Sequence, residues 1–515
     1  MARKGTSSSK KNAAGGDSGL ADPPPPVGRC LIVGGGPAGA LAAKTLTERG
    51  YDTTLVESYP HPVGSTEKAH AYVIAVNPRG IRALRRCGVD PFADMKDETG
   101  GVEVSTYVRH GTEPSGRSFP TVIRKDDPSF LVRRQKLTAS LLRIAGEAGA
   151  TIICGERLVD IDFDNRVATT EHVASGKTTQ RPYDLLLGAD GIASPTRTLL
   201  ENAGLLGPVR KEPDDVEYQV AILPHWRRVL HPDCVDYTAA PEASVHTYAD
   251  RKSGSNAIVF PIGNMEACLA CVICPSGRLG HLKKHKEEYG PALKTLFPNF
   301  SPEALASMCH QFAQEDNVPT TGGTCVWAQP ALGSPSSGVI LVGDSGHGMW
   351  PALGQGCNTA LESVAVLADA VEAVCGSGNL IPSSGAGVRE VDAWSKTSGE
   401  RSRLIAEEYQ GLRHEDVLAI VDMSFGGIGG RRIRGAQNAN MMYKLQVLTI
   451  MLLHKLTFGI VPPPALIRVM AGDDVPFATL RWQQKVEQVV ALPALVAMVT
   501  AVAYGLFLLV RWKYF

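Results

Sequence analysis

The feature that most narrows what this chain can become lies near its N-terminal end. A short apolar run, Cys30-Leu31-Ile32-Val33, leads into Gly34-Gly35-Gly36-Pro37-Ala38-Gly39 and then a helix-forming stretch over residues 40–49. Strand, Gly-x-Gly-x-x-Gly and helix in that order open a βαβ unit that cradles a dinucleotide. Gly34 permits the tight turn, Gly36 lets backbone approach a pyrophosphate, and Gly39 lets helix pack closely on strand, with the helix N-terminus facing the phosphates. A second apolar strand, Thr53-Thr54-Leu55-Val56, ends in Glu57, near the offset of about 20 residues at which an acid meets a ribose 2′-hydroxyl. An acid there favours the adenosine ribose of FAD or NAD over a 2′-phosphate. The plain alternative, a glycine-rich turn with a surface glutamate, does not account for the complete strand, turn, helix and strand context.

Two later segments separate FAD from NAD. In Leu185-Leu186-Leu187-Gly188-Ala189-Asp190-Gly191 an apolar strand runs into a turn-forming pair, and in Val339-Ile340-Leu341-Val342-Gly343-Asp344 another ends in Gly-Asp. Either alone is an ordinary strand followed by a turn. Together, and in this order, they resemble the Asp-Gly and Gly-Asp fingerprints of the class A FAD-dependent aromatic monooxygenases. Arg134-Gln135-Lys136-Leu137, Phe297-Pro298, residues 351–358 and Arg481-Trp482-Gln483-Gln484-Lys485 extend the likeness, toward the kynurenine-hydroxylating members, from about residue 31 to the C-terminus.

The resemblance implies an α/β protein: a glutathione-reductase-like Rossmann FAD domain with an interleaved β-rich substrate domain, a helical C-terminal cap and a C-terminal transmembrane helix. It further implies that Gly34, Gly36, Ala38, Gly39 and Glu57 hold the ADP half of FAD, with Arg134 and the backbone near Leu158 enclosing it. Asp190 falls in the segment used for FAD and the passing nicotinamide, and Asp344 bonds the ribityl chain or a ribose hydroxyl. Gly354, Gln355, Gly356, Cys357 and Asn358 begin a helix whose N-terminus faces the isoalloxazine ring, where free backbone N–H groups favour the negative charge of reduced flavin. FAD would take hydride from NAD(P)H, a transient co-substrate since no second glycine-rich nucleotide site is evident, and would activate O2. The chain's share of the work is a closed pocket that excludes water.

No side chain stands out as a catalytic acid or base. His347 and Trp350 adjoin Gly343-Asp344, but a histidine in an apolar loop reads first as a packed, hydrogen-bonded residue. Cys268-x-x-Cys271-x-x-Cys274 has the spacing of cluster ligands, yet residues 267–274 read as a buried strand that points Cys271 to the face opposite Cys268 and Cys274, so no metal site is expected. For the substrate, the resemblance implies an arginine that meets a carboxylate. Val102, Val104 and Ser105 stand there instead, Arg109 is out of register, and Ala69-His70-Ala71 replaces a Gly-Arg-Ser segment. Asn438 corresponds to a substrate asparagine.

Residues 489–510 hold no charge and end at Arg511-Trp512-Lys513, matching the roughly 20 residues that cross a bilayer. Pro493 and Thr500 are tolerated in membrane helices, and Tyr504 and Trp512 sit where interfacial aromatics are common. A buried core helix is the alternative, but one this long normally shows a polar face. The apolar run at residues 445–453, closed by His454 and Lys455, is too short to span; it is either an amphipathic or core helix, or it lies along the membrane beside the anchor. Residues 1–26, rich in Ser, Gly, Lys and Pro, read as a disordered arm; Asp17 and Asp22 argue against a transit peptide. Lys plus Arg and Asp plus Glu both number 52, so no field recommends a nucleic-acid partner. The 11 cysteines are scattered, which suggests a reducing compartment without disulfides.

The expected organisation is therefore a disordered arm (1–26), an FAD-binding domain (27–388) with a substrate-facing β-sheet inserted at about 200–330, a helical cap (389–485) and a membrane anchor (489–510). A single C-terminal anchor keeps the catalytic body cytosolic, and the short basic tail favours the mitochondrial outer membrane over the endoplasmic reticulum. The leading expectation is insertion of one oxygen atom from O2 into a small aromatic substrate. Alternatives are a membrane-bound flavin epoxidase of an apolar olefin, whose substrate enters from the bilayer, and a flavin-binding membrane adaptor without turnover.

Overall fold

The computed structural model describes residues 27–60, 72–112, 118–229, 243–250, 252–263, 265–376, 396–426 and 437–514. The expected arm at 1–26 and the Ala69-His70-Ala71 segment lie outside them. Two sheets organise the described residues. The first has six strands in the order Gly333–Ser334, Val339–Leu341, Leu185–Gly188, Arg29–Val33, Asp52–Glu57 and Thr151–Cys154. All its pairings are parallel except that of Gly333–Ser334 with Val339–Leu341. Val33, Gly188 and Val56 pair in register, so the glycine turn after Val33 and the Asp-Gly turn after Gly188 emerge side by side at the carboxyl ends of the strands. That is where ligands bind in open α/β sheets, because the strand order reverses about the first strand.

The strands of this sheet read as unbroken apolar runs because both faces are covered. Helix Pro37–Glu48 buries every residue from Ala38 to Leu46, which its small side chains permit, between the sheet and helices Arg134–Glu147 and Gly356–Cys375. The second sheet has eight strands, in the order Thr320–Thr321, Val216–Pro224, Ala267–Pro275, Ser255–Ile262, Ser244–Asp250, Val102–Thr112, Ser118–Arg133 and Val73–Val76. It thus draws in three strands that precede the 200–330 stretch.

The alternation expected of residues 267–274 is present. Cys268 and Cys274 pack in one apolar core with Tyr289 and Phe312, while Cys271 packs on the other face with Val220 and Leu269. Among the described residues no group of three or more His, Cys, Asp or Glu is placed to hold a metal ion.

The described C-terminal part is helical, in segments Ser398–Gly426, Gln437–Leu456, Ala465–Ala471 and Phe477–Tyr514. The last runs unbroken for 38 residues through Pro493. Phe477 and Leu480 at its start are fully buried against Ile420 and Trp350, whereas its most apolar window has no buried residue. One helix thus begins inside the protein and continues out of it, long and apolar enough to cross a membrane.

A buried charge cluster holds these helices to the nucleotide side. Arg79 pairs with Glu362 at 2.6 Å, and Arg413 pairs with Glu362 at 2.8 Å and with Asp416 at 2.9 Å. Arg79 also lies 3.9 Å from the centre of the Phe477 ring, and Asp416 Oδ1 accepts from Ala478 N at 3.0 Å. Burial pushes the Glu362 carboxyl up, but Arg413 and Arg79 outweigh it and hold it below the ordinary value.

Candidate cofactor and substrate site

The glycine turn is built by close approach. Gly34 adopts φ +104°, and a Cβ there would sit 2.5 Å from the Ala189 carbonyl oxygen. At Gly39 a Cβ would fall 1.9 Å from the Gly34 carbonyl oxygen, whereas at Gly36 it would meet nothing within 4 Å. Two glycines therefore let protein touch protein, and the third opens onto free space at the N-terminus of helix Pro37–Glu48, whose first-turn N–H groups have no intrahelical acceptor. Glu57 anchors the turn: Oε2 accepts from Gly35 N at 2.6 Å, and Oε1 accepts from Tyr59 N and Ser58 Oγ, each at 2.9 Å. A carboxylate offers about four lone-pair sites, which leaves room for one hydroxyl donor.

The three distant motifs meet. Gly34 abuts Ala189 and Asp190, and a Cβ on Gly343 would lie 3.4 Å from the Ala360 Cβ and 3.6 Å from the Ala38 Cβ. Asp344 follows at the head of a short turn of helix. Its side chain is accessible, and among the described residues its carboxylate accepts no hydrogen bond. The surrounding chain raises its pKa by burial, while the guanidiniums of Arg134 and Arg197 pull it down. Arg134 N donates to the Tyr72 carbonyl at 3.1 Å, and its guanidinium stands 6.0 Å from the Tyr72 ring. The Cys357 thiol, pushed up to about 12 by burial and by Asp344, is eased by Arg134. Tyr72, Arg134, Asp344 and Cys357 thus lie near one another, close enough for their charges to act on each other.

Other expected residues carry different loads. The Asp190 carboxylate is spent within its own loop, accepting from Ser194 Oγ at 2.5 Å and from Thr196 N and Oγ1 at 2.9 and 2.7 Å. Burial raises its pKa despite those bonds. Leu158 is buried in the core, so only its backbone is open to a ligand. Gln355 and Asn358 are clasps: Gln355 Nε2 donates to Val469 O at 3.0 Å, and Asn358 Oδ1 accepts from Asn77 N at 3.0 Å. A Cβ on Gly354, at φ +64°, would meet nothing within 4 Å and one on Gly356 would touch only Met349 at 3.9 Å, and the first-turn N–H groups of the 20-residue helix Gly356–Cys375 form an anion-favouring end.

His347 packs as a neutral core residue. Its Nε2 accepts from Gly343 N at 3.2 Å and meets Ser363 Oγ at 3.0 Å, and burial pushes its pKa down to about 3. Trp350 donates to the Glu212 carbonyl at 3.0 Å.

Sequence reasoning passed over Arg197 and Tyr72. Arg197 is buried and donates to Ser345 O at 2.7 Å and Ile192 O at 2.6 Å, riveting the Asp-Gly loop to the Gly-Asp loop. Its place in Ser194-Pro195-Thr196-Arg197, at the start of helix Pro195–Asn202, was the available signal.

On the substrate side, Val102 and Val104 are buried with Leu131, Val220, Val245 and Leu269. A register shift between Val104 and Thr106 then resets which residues face that cluster, placing Tyr107 against it and Arg109, exposed, two residues further on the same side. The side chain of Asn438 lies outside those described; its backbone is in helix Gln437–Leu456.

The space fits FAD. It has a glycine cradle for a pyrophosphate, an acid for a ribose, an accessible carboxylate for a hydroxylated chain, and a helix N-terminus for a ring that becomes anionic. Likeness to known proteins supports an FAD-dependent hydroxylase. Residues 29–262 match the family described as "FAD binding domain".

The chain is similar to kynurenine 3-monooxygenase of Salinispora arenicola, 24% identical over 67% of this chain and 72% of that one. It is likewise similar to kynurenine 3-monooxygenase of Phaeosphaeria nodorum, 25% identical over 77% of each. Its fold matches that of Pseudomonas aeruginosa PqsL, solved with 2-aminobenzoylacetate, with a TM-score of 0.55 at 20% identity, over 81% of this chain and 99% of that one. These likenesses favour a hydroxylase over the epoxidase and adaptor alternatives.

Proposed function

We propose that the chain hydroxylates a small aromatic substrate of the kynurenine type, using FAD, NAD(P)H and O2, on a glutathione-reductase-like Rossmann scaffold anchored by its C-terminal helix. The observation that carries this reading is the accessible, unbonded Asp344 carboxylate at the meeting point of the three motifs. Bound FAD supplies hydride acceptance and oxygen activation. In this reading Glu57 and the glycine turn hold the adenosine and pyrophosphate, Asp344 and Arg134 grip the sugar-alcohol chain, and the Gly356–Cys375 N-terminus favours charge on the ring. Asp190 shapes its loop, and Leu158 contributes backbone. The division into 27–388, 389–485 and 489–510 assigns cofactor, cap and anchor, and Asn438 serves the substrate. The basic end of the anchor favours the mitochondrial outer membrane.

One observation qualifies the substrate. Val102 and Val104, which by the resemblance fall where a carboxylate-binding arginine is expected, are buried, and a buried valine cannot offset the desolvation of an ionised acid. Arg109, exposed two residues beyond Tyr107, is a cation on that side of the strand. The test follows NADPH and NADH oxidation by the purified holoenzyme with L-kynurenine and with its uncharged decarboxylated, N-acylated analogue. Hydroxylated product from either ring supports the reading, and the preferred partner reports whether Arg109 substitutes for the missing arginine. Oxidation of reduced nicotinamide unaffected by any aromatic compound would sink it.

A further inference from the structure

Helix Gln437–Leu456 ends in a Schellman arrangement: Phe458 N donates to Lys455 O at 3.2 Å and Gly459 N to His454 O at 2.9 Å. The residue at the left-handed position of such an ending is usually glycine. Here it is Phe458, at φ +51°, and its ring is 97% exposed, with Ile460 at 86%. A strained backbone that presents a phenyl ring to nothing in the described protein gains nothing from folding alone.

The ring is not isolated. Leu448, Leu452 and Leu456, exposed at 62, 46 and 59%, extend the apolar face along the helix. That helix packs on the C-terminal one, with Ile450 and Ala491 buried between them. The returning chain is pinned at the base of the apolar span, since Gln483 Nε2 donates to Pro463 O at 2.8 Å and Ala465 N donates to Glu487 Oε1 at 2.9 Å. Val489, 73% exposed, begins the span next to this point. The apolar face is therefore continuous with the helix that crosses the bilayer, and Lys455 and Lys485 lie exposed at its edge, where anionic headgroups are attracted.

We propose that the Phe458–Ile460 tip and the exposed face of helix Gln437–Leu456 insert into the near leaflet of the membrane that the C-terminal helix crosses, so that the catalytic body is seated on the lipid rather than tethered above it. The inference rests on the reading of the C-terminal helix as a membrane span. Because the same helix carries Asn438 at its other end, seating it fixes the cap relative to the bilayer.

The experiment places photoreactive benzoylphenylalanine singly at positions 458, 460, 499 and 173 of the full-length holoenzyme, reconstituted in phosphatidylcholine and phosphatidylglycerol vesicles. All four sites are exposed, and flavin content reports that each variant is folded. Irradiation followed by mass spectrometry is expected to show a mass gain of one phospholipid at 458, 460 and 499 and none at 173. Lipid adducts at 499 alone overturn the seating while leaving the span intact. No lipid adduct at any site overturns both. Crosslinking of 458 to a second copy of the chain or to another segment of the same chain, in place of lipid, also overturns it.

Discussion

Asp344 carries an accessible carboxylate whose acceptor sites no donor among the described residues uses, so its lone pairs are open to a ligand hydroxyl. Asp344→Ala should therefore weaken FAD retention by about ten-fold or more, the roughly 1.5–3 kcal/mol of a hydrogen bond to a charged group, while leaving the flavin-free protein as stable as before. Flavin absorbance per chain after dialysis and melting of the apoprotein measure the two halves separately. Gly39→Ala should behave in the opposite way. Its Cβ would press on backbone at 1.9 Å, so both apo and holo forms should lose about 1–3 kcal/mol, read by denaturant unfolding.

Three buried histidines set an acid limit. Burial lowers the pKa of His110 to about 4 and of His246 and His347 to about 3. In the unfolded chain they titrate near 6.5. Between those values the unfolded state binds more protons, so stability rises with pH. It should be fully present above about 6.5 and fall by about 1.4 kcal/mol per pH unit for each histidine as the pH drops below that. Urea unfolding between pH 4 and pH 7 checks the slope, and His347→Asn should reduce it by one proton's worth. An unchanged slope would mean that His347 is protonated in the folded protein.

At the scale of elements, what the sequence disclosed was local and what it hid was long-range. The glycine turn, the strand ending in Glu57 and the charge-free run at 489–510 are contiguous patterns, and each sits in the expected element. The eight-stranded sheet was harder to see, because strands such as Val102–Thr112 and Ser244–Asp250 are joined by pairing across more than a hundred residues. The continuity of the last helix was equally concealed: its first turn is core and its turns from Val489 to Leu509 are largely apolar surface, so composition changes without a break in the backbone.

The buried Arg79, Glu362, Arg413 and Asp416 cluster had no sequence signature, since its members come from three helices far apart in the chain. Removing one partner should be severe. Arg413→Ala leaves Glu362 and Asp416 facing each other with less compensation, and should cost about 3–5 kcal/mol. Limited proteolysis should then cut the cap helices before the nucleotide domain. A variant that melts and digests like the parent would show that the cluster is dispensable.

At the scale of the molecule, the site was legible as a set of residue types but not as a set of roles. Gly34, Gly36, Gly39, Glu57 and Asp344 come together at one end of the parallel sheet, as the proposed cofactor site requires. Asp190, Gln355 and Asn358 were read toward the ligand, but their side chains spend hydrogen bonds on the protein, because a motif records which residue is present and not which way it turns. The position of Arg197 at a helix start was visible in the sequence, but its partners, the carbonyls of Ser345 and Ile192, show only once the loops are folded together. The whole account depends on those loops closing around one cofactor. The direct measurement is the visible spectrum and flavin stoichiometry of the full-length protein purified in mild detergent. One FAD per chain, released intact on denaturation and lost in Asp344→Ala, is the predicted result; a folded, colourless protein that takes up no FAD on incubation would contradict it.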